Sequence, residues 1–322
     1  MIGGGPLPYD VSRPAVDDGD LWTSADPVSV CGHTVPDMAP AALSPSRAAD
    51  FMQCPLLYRF RVVDRLPEAP SPAAVRGTVV HAVLERLFEL PAAARTLDAA
   101  AGLIAGEWQR LREERPELAE LFDADPASVG SWLDGAETLL ATWFRLEDPT
   151  RLQPAERELY VETALDDGLV LRGYVDRLDV AADGRMRIVD YKTGRAPSAM
   201  FEAKALFQMK FYALVLWRLR GRLPSVLQLV YLGSGEVLRY SPDESDLLAT
   251  ERKVKALWDA IARAARTGDW RPSPSRLCDW CDHHALCPVQ GGTTPPPPDD
   301  ALERVVGAAA STPDTPGLDE DG

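Results

Sequence analysis

An α/β fold, with one central mixed β-sheet flanked by helices, is what this sequence predicts. Three observations carry it. Apolar residues recur at three- and four-residue spacing through the first half of the chain, alternation replaces that spacing after Pro154, and a helical stretch at 200–221 splits the alternating segments into two pairs. Helices, then strands, then a helix and two more strands suit layers packed on one sheet.

The elements follow in order. Residues 43–63, "LSPSRAADFMQCPLLYRFRVV", open on a Ser-Pro-Ser helix start and place apolar residues at 48, 51, 52 and 56, so a short helix carries Cys54 near its end. A Pro-rich loop (67–72) leads to "RGTVVHAVLERLFEL" (76–90), where Val80, Leu84, Leu87 and Phe88 form one stripe. Residues 97–147 read as two or three helices, broken near Pro116 and Pro126. "ERELYVETAL" and "LVLRGYVDRLDV" then alternate, "ADG" makes a turn, and "RMRIVDYKTG" continues as a buried strand. The helix at 200–221 ends in Gly221, and "SVLQLVYL" and "GEVLRY" pair around Gly233-Ser234-Gly235. A long helix (243–267) precedes "CDWCDHHALCP" (278–288).

Residues 1–40 are expected to be a disordered acidic leader and 291–322, containing "TTPPPPDD", a disordered Pro-rich acidic tail, leaving 41–290 as one folded domain. The net charge of −15 is concentrated in those ends, which carry −5 and −6 and leave −4 between them. Overall acidity therefore does not exclude nucleic acid. Arg59, Arg61, Arg65, Arg76 and Arg86 read equally as a solvated face or a phosphate track. No segment pairs a basic start with an apolar run, and none approaches the roughly 18 apolar residues of a membrane span, so no membrane partner and a cytoplasmic location are expected.

The chemistry gathers in "GYVDRLDV" (173–180) and "IVDYKTG" (188–194). Asp190 and Lys192, two apart on a strand, leave the same face. A three-residue turn, Ala182-Asp183-Gly184 with glycine in the left-handed position, sets 181 opposite 185 and brings Asp176 opposite Asp190. A two-residue turn would send Asp176 to the other face. Two carboxylates beside a lysine suit Mg²⁺ and a phosphate, whereas the plain reading is a surface ion pair of little worth. His81 and Glu85, one helical turn apart, would join them from 76–90; a lone histidine bordering an apolar stripe is more often structural than a ligand.

"RGTVVHAVLE", "GYVDRLDV", "IVDYKTG" and "QMKFY", in this order, resemble the motifs of RecB-family exonucleases of the PD-(D/E)XK superfamily, over about residues 43–290. The resemblance implies a restriction-endonuclease-like core in which His81, Asp176, Asp190 and the Tyr191 carbonyl hold Mg²⁺ or Mn²⁺. It implies Lys192 as the catalytic lysine, Glu85 as an acidic position beside it, and Gln208 and Tyr212 as a Gln-x-x-x-Tyr pair near DNA. Arg177, next to Asp176, joins these as a candidate DNA contact. The implied activity is a metal-dependent exonuclease acting on DNA, on single strands or free ends, in repair or recombination. The alternatives are a noncatalytic DNA-binding or assembly module on the same scaffold, or the nuclease component of a larger complex. No Gly-x₄-Gly-Lys-[Ser/Thr] motif occurs, so any helicase would be a separate partner.

Cys278-x₂-Cys281-x₅-Cys287 supplies three thiolates, and local chemistry leaves zinc (with His283 or His284) and iron–sulfur as even choices. "FMQCPLLYRF" resembles the segment in which a group of these nucleases carries one cysteine ahead of the core and three behind it. That resemblance implies a [4Fe–4S] cluster on Cys54, Cys278, Cys281 and Cys287, a clasp that makes the N-terminal helix and the C-terminal knuckle meet. His283 and His284 would then be surface or supporting residues.

Overall fold

The computed structural model describes residues 42–122, 126–196 and 199–307. The leader at 1–40 with Cys31, and the tail from 308 onward, lie outside the described residues. In order come β1 (Ala42–Leu43), α1 (Pro45–Gln53), α2 (Pro55–Tyr58), a π-helical turn (Arg59–Val63), α3 (Pro72–Leu87), α4 (Leu97–Glu114) and α5 (Pro126–Leu146). Then follow β2 (Glu156–Ala164), β3 (Val170–Val180), β4 (Met186–Lys192), α6 (Ala199–Arg220), β5 (Val226–Tyr231), β6 (Glu236–Tyr240), α7 (Glu244–Thr267) and α8 (Ala301–Val306). Among the described residues no helix is long and apolar enough to cross a membrane. The chain divides into two compact units. The first, the sheet unit, holds Ala69–Glu162 and Gly173–Glu251; the second, the cysteine unit, holds Thr163–Arg172 and the described parts of Gly32–Glu68 and Arg252–Gly322.

The sheet unit is a mixed sheet flanked by helices. β3 and β4 pair antiparallel, β4 and β5 parallel, β5 and β6 antiparallel, and β2 lies beside β3. The parallel step needs a crossover, and α6 makes it. Register between β3 and β4 runs Arg177 to Val189 through Val180 to Met186, and Ala181 donates its N–H to the Arg185 carbonyl. This is the three-residue turn, with Gly184 at φ +80°, and continuing the register sets Asp176 opposite Asp190. At the far end of β4, a side chain on Gly233 would come within 2.7 Å of the Gly194 backbone, so the β5–β6 turn can close over the end of β4 only with glycine there.

One face of the sheet presents Val189, Tyr191, Val230, Leu232 and Val237 to a core built with Val79, Val80, Val83, Leu84 and Leu87 of α3 and Leu140 and Trp143 of α5. α3 starts where Ser71 accepts from Ala74 N–H with Pro72 at the first helical position. Leu84 is 1% exposed, and truncating it to alanine would cost about 2–5 kcal/mol. α6 lies against β4 and β5.

In the cysteine unit, β1 pairs parallel with the start of β3. α1, capped by Ser44, ends at Gln53, because Pro55 has no N–H to continue the ladder and instead starts α2. The expected single helix is thus two, with Cys54 at their junction. Tyr58 stacks on Trp270 with ring centroids 6.0 Å apart, and Phe60 meets His283 edge-on at 5.1 Å. The ordered chain does not stop at 290 as the composition of the tail suggests. Arg59 donates to the Pro295 carbonyl at 2.7 Å, Arg304 to the Val63 carbonyl at 2.8 Å, and Ala301 and Val305 of α8 are buried.

Candidate functional site

β4 carries Asp190 and Lys192 at its end. Asp190 is 3% exposed, and its Oδ2 lies 2.8 Å from Lys192 Nζ. Gln208 of α6 bridges the pair: its amide oxygen accepts from Lys192 Nζ at 3.0 Å, and its amide nitrogen donates to Asp190 Oδ1 at 3.1 Å. Only one orientation of the amide meets both partners, so the glutamine fixes the lysine and the carboxylate together. It also reaches the Tyr212 hydroxyl at 3.4 Å; that ring is buried, and burial pushes its phenol up to about 12.

The backbone of Tyr191 joins the other elements. Its N–H donates to Asp176 Oδ2 at 2.7 Å, and its carbonyl lies 3.1 Å from His81 Nε2. In the tautomer that makes this bond, the Nδ1 lone pair faces carboxylate oxygens, Asp176 Oδ2 at 3.5 Å and Glu158 Oε1 at 4.0 Å. Three acceptors converge without a donor among them, an arrangement that calls for a proton or a cation. Among the described residues, His81, Glu158 and Asp176 form the group whose ligand atoms all lie within 4.8 Å of one another.

Electrostatics set the protonation. Burial is the main influence lowering His81, and nearby Lys192 acts the same way, against Asp190 and the Tyr191 carbonyl. Burial raises Asp176 well above the ordinary carboxylate value, Asp190 adds to it, and the Tyr191 N–H opposes. Glu158 rises to about 7 through burial, then through the charges of Glu85 and Asp190. Glu85 therefore acts on Glu158 by its charge and stands outside the compact group.

Glu158 is the residue that the sequence reading missed. It has φ +43° inside β2, in the left-handed region that costs a non-glycine residue roughly 1–3 kcal/mol, a strain that collects at functional sites. "ERELYVE" signals only an alternating strand with a solvent-facing acidic edge.

Arg177 is a correction. Strand alternation turns it away from Asp176, and it is 1% exposed. It donates to both Glu147 oxygens at 2.8 Å and to the Tyr191 hydroxyl at 2.6 Å, and pairs with Asp179 at 3.1 Å. Such a guanidinium anchors Tyr191 and is withheld from DNA. The basic track shrinks likewise, because Arg59 pairs with Asp64, Arg61 with Asp50 and Glu68, and Arg86 with Glu107.

Cys54, Cys278, Cys281 and Cys287, all free thiols, line one cavity of the cysteine unit together with Leu56 and Phe60. Ser273 N–H points to Cys54 Sγ at 3.4 Å and Ser275 N–H to Cys278 Sγ at 3.3 Å. Burial, and then the charges of Cys287, Cys54 and Cys278, push the Cys281 thiol up against the His283 N–H. The helical junction and the knuckle do meet here. His283 is buried 3.0 Å from Glu68 and supports Cys281 through its backbone N–H, whereas His284 lines the cavity with the cysteines and bonds the Cys278 carbonyl.

The family model described as "PD-(D/E)XK nuclease superfamily" matches residues 42–288. The Gene 69 protein of Mycobacterium phage D29 is 26% identical over 269 residues, covering 76% of this chain and 96% of that protein. One component of the ATP-dependent helicase/deoxyribonuclease of Streptococcus equi subsp. zooepidemicus (strain H70) is 32% identical over 163 residues, 49% of this chain but 14% of that protein. The crystal structure of SSO0001 superposes with a TM-score of 0.35 at 15% identity, covering 80% of this chain and 89% of that one.

Proposed function

This chain belongs to the PD-(D/E)XK nuclease superfamily, and from that premise we propose that it is a divalent-metal-dependent deoxyribonuclease, an exonuclease working on single-stranded or free DNA ends in repair or recombination. The observation that carries the reading is the convergence of His81, Glu158 and Asp176 within 4.8 Å of one another, beside the pair of buried Asp190 and half-buried Lys192. An oxygen-rich donor set with one imidazole fits Mg²⁺ or Mn²⁺. Asp176, Asp190, Glu158, His81 and the Tyr191 carbonyl would hold it. Such a cation supplies acidification of water and neutralisation of charge at phosphorus.

The chain's own residues do the rest. Tyr191 N–H keeps Asp176 oriented, and Gln208 holds Lys192 Nζ and Asp190 side by side. Lys192 is then a fixed positive charge for the phosphate oxygen or the attacking water. Burial keeps His81 neutral and able to bind through its lone pair.

The cysteines support a separate proposal, a structural [4Fe–4S] cluster on Cys54, Cys278, Cys281 and Cys287. The donor set is four thiols lining one cavity, with the His283 imidazole paired to Glu68, which suits Cys₄ ligation. A single zinc with bonds of about 2.3 Å needs sulfurs roughly 4 Å apart; among the described residues no three cysteine sulfurs come within 4.8 Å of one another. The similarity to part of a helicase/deoxyribonuclease component supports a separate helicase as partner.

The test is anaerobic purification, a visible spectrum with metal analysis, and cleavage of 5′- and 3′-labelled single strands and duplexes with Mg²⁺ and Mn²⁺. Brown, iron-bearing protein that cleaves only with added cation is expected. Absence of cleavage on every linear DNA overturns the nuclease; colourless, zinc-bearing, active protein overturns the cluster alone.

A further inference from the structure

We propose that Tyr174 and Tyr160 form a base-stacking platform for single-stranded DNA beside the metal group, an inference that rests on the nuclease reading and assigns its strand preference to two side chains. Tyr174 is 56% exposed, the most exposed large apolar side chain among the described residues of the sheet unit. Its ring lies against that of Tyr160, with centroids 5.2 Å apart and planes tilted by 54°, and the Tyr160 hydroxyl donates to Glu162. The pair is therefore oriented and half-open at once. A tyrosine ring that packs against one partner and leaves most of itself in water does little for the core, while every nucleic-acid base has a face that stacks on it.

Position gives the pair its meaning. On β2, Leu159 and Val161 are buried while Glu158, Tyr160 and Glu162 are not; on β3, Val175 and Arg177 are buried while Tyr174 and Asp176 are not. Tyr160 thus shares the open side with Glu158, and Tyr174 with Asp176, the latter two residues along β3, about 6.6 Å. Tyr160 follows Glu158 by two residues and Tyr174 precedes Asp176 by two, which keeps the rings paired with each other as the carboxylates are paired across His81. A phosphate held at the metal group would bring an adjoining nucleotide over the rings. Duplex bases are already stacked and cannot use such a surface without being pulled out of the helix, so the platform selects single strands.

The experiment is equilibrium binding of a fluorescent single-stranded deoxyoligonucleotide, with Ca²⁺ as the cation, to the full chain and to Tyr174→Ala, Tyr160→Ala and Tyr174→Trp. The same proteins are tested on an abasic deoxyribose-phosphate chain of equal length. Tyr174→Ala should weaken oligonucleotide binding by roughly 5- to 100-fold, the range of one base stacked on an aromatic ring. Tyr174→Trp should retain binding, and the abasic chain should bind wild type and Tyr174→Ala alike. Equal affinity of wild type and Tyr174→Ala for the oligonucleotide overturns the platform, as does a loss of the same size on the abasic chain. Cleavage by a wild-type protein with no Tyr174 effect removes the platform and leaves the nuclease; a Tyr174 effect on binding without any cleavage does the reverse.

Discussion

The two faces of the β3–β4 hairpin are built from adjacent residues and end with opposite charge balance. On the face toward α5, Arg177 meets Glu147 and Asp179, Arg187 meets Asp179, and Gln228 and Trp143 complete the hydrogen bonds to Glu147. Every charge there has an opposite partner. On the other face, Asp176, Asp190, Glu158 and Glu85 surround one lysine and one histidine that burial holds neutral. Asp176 and Arg177 are consecutive, yet one belongs to a surplus that has to be met from outside and the other to a paired network that stabilises. The lesson is that a buried charge matched within the chain supports the fold, whereas an unmatched cluster held in place by that fold is available for chemistry.

The comparison breaks most completely at Asp190. Asp190→Ala or Lys192→Ala should lower DNA cleavage by roughly 10³-fold or more while circular dichroism stays unchanged. Breaking the opposite face should act on stability instead: Arg177→Met leaves Glu147 buried without its cation and Asp179 with Arg187 alone, and should cost about 3–5 kcal/mol in urea denaturation. Glu158→Gln sharpens the contrast, because it keeps the shape and removes one charge of the surplus. It should weaken Mn²⁺ binding by roughly 10- to 100-fold and hardly change unfolding at pH 5, where Glu158 is already protonated.

Acidity separates the faces by sign. Glu147 is held down at about 2 against an ordinary 4.5, chiefly by Arg177 overcoming the cost of burial, so its stabilisation is present above pH 4.5 and is lost as pH falls toward 2. Glu158, raised to about 7, behaves oppositely: its contribution is complete below 4.5 and is lost as pH rises through 7. Raising pH from 5 to 8 should therefore cost the metal-free wild type more stability than it costs Glu158→Gln, and Mn²⁺ should narrow that gap, measured by urea midpoints. The smallest effect expected is that Asp176→Asn stabilises the metal-free chain at pH 8 by about 1 kcal/mol, a stability gain taken at a functional site.

Much of this arrangement was legible in the sequence because it is local. The Ala-Asp-Gly turn fixes the register, and the register alone puts Asp176 opposite Asp190; the spacing of two ties Lys192 to the same face. Arg177 was also decidable, since a neighbour of a site-facing strand residue must face the core. Glu158 was not, because its approach to His81 depends on a left-handed residue inside a strand and on β2 lying beside β3, neither of which composition encodes. The stretch after 290 misleads for a related reason. Consecutive prolines look unable to fold, but their carbonyls still accept hydrogen bonds, and a buried arginine far upstream uses one of them.

The central claim, that the unmatched carboxylates form a cation site, is tested most directly by calorimetric titration of Mn²⁺ into the purified full chain at pH 8, with Asp176→Asn alongside. One ion per chain is predicted to bind at a saturable site whose affinity drops at least about tenfold in the variant. Weak binding of the same strength in both proteins would contradict it.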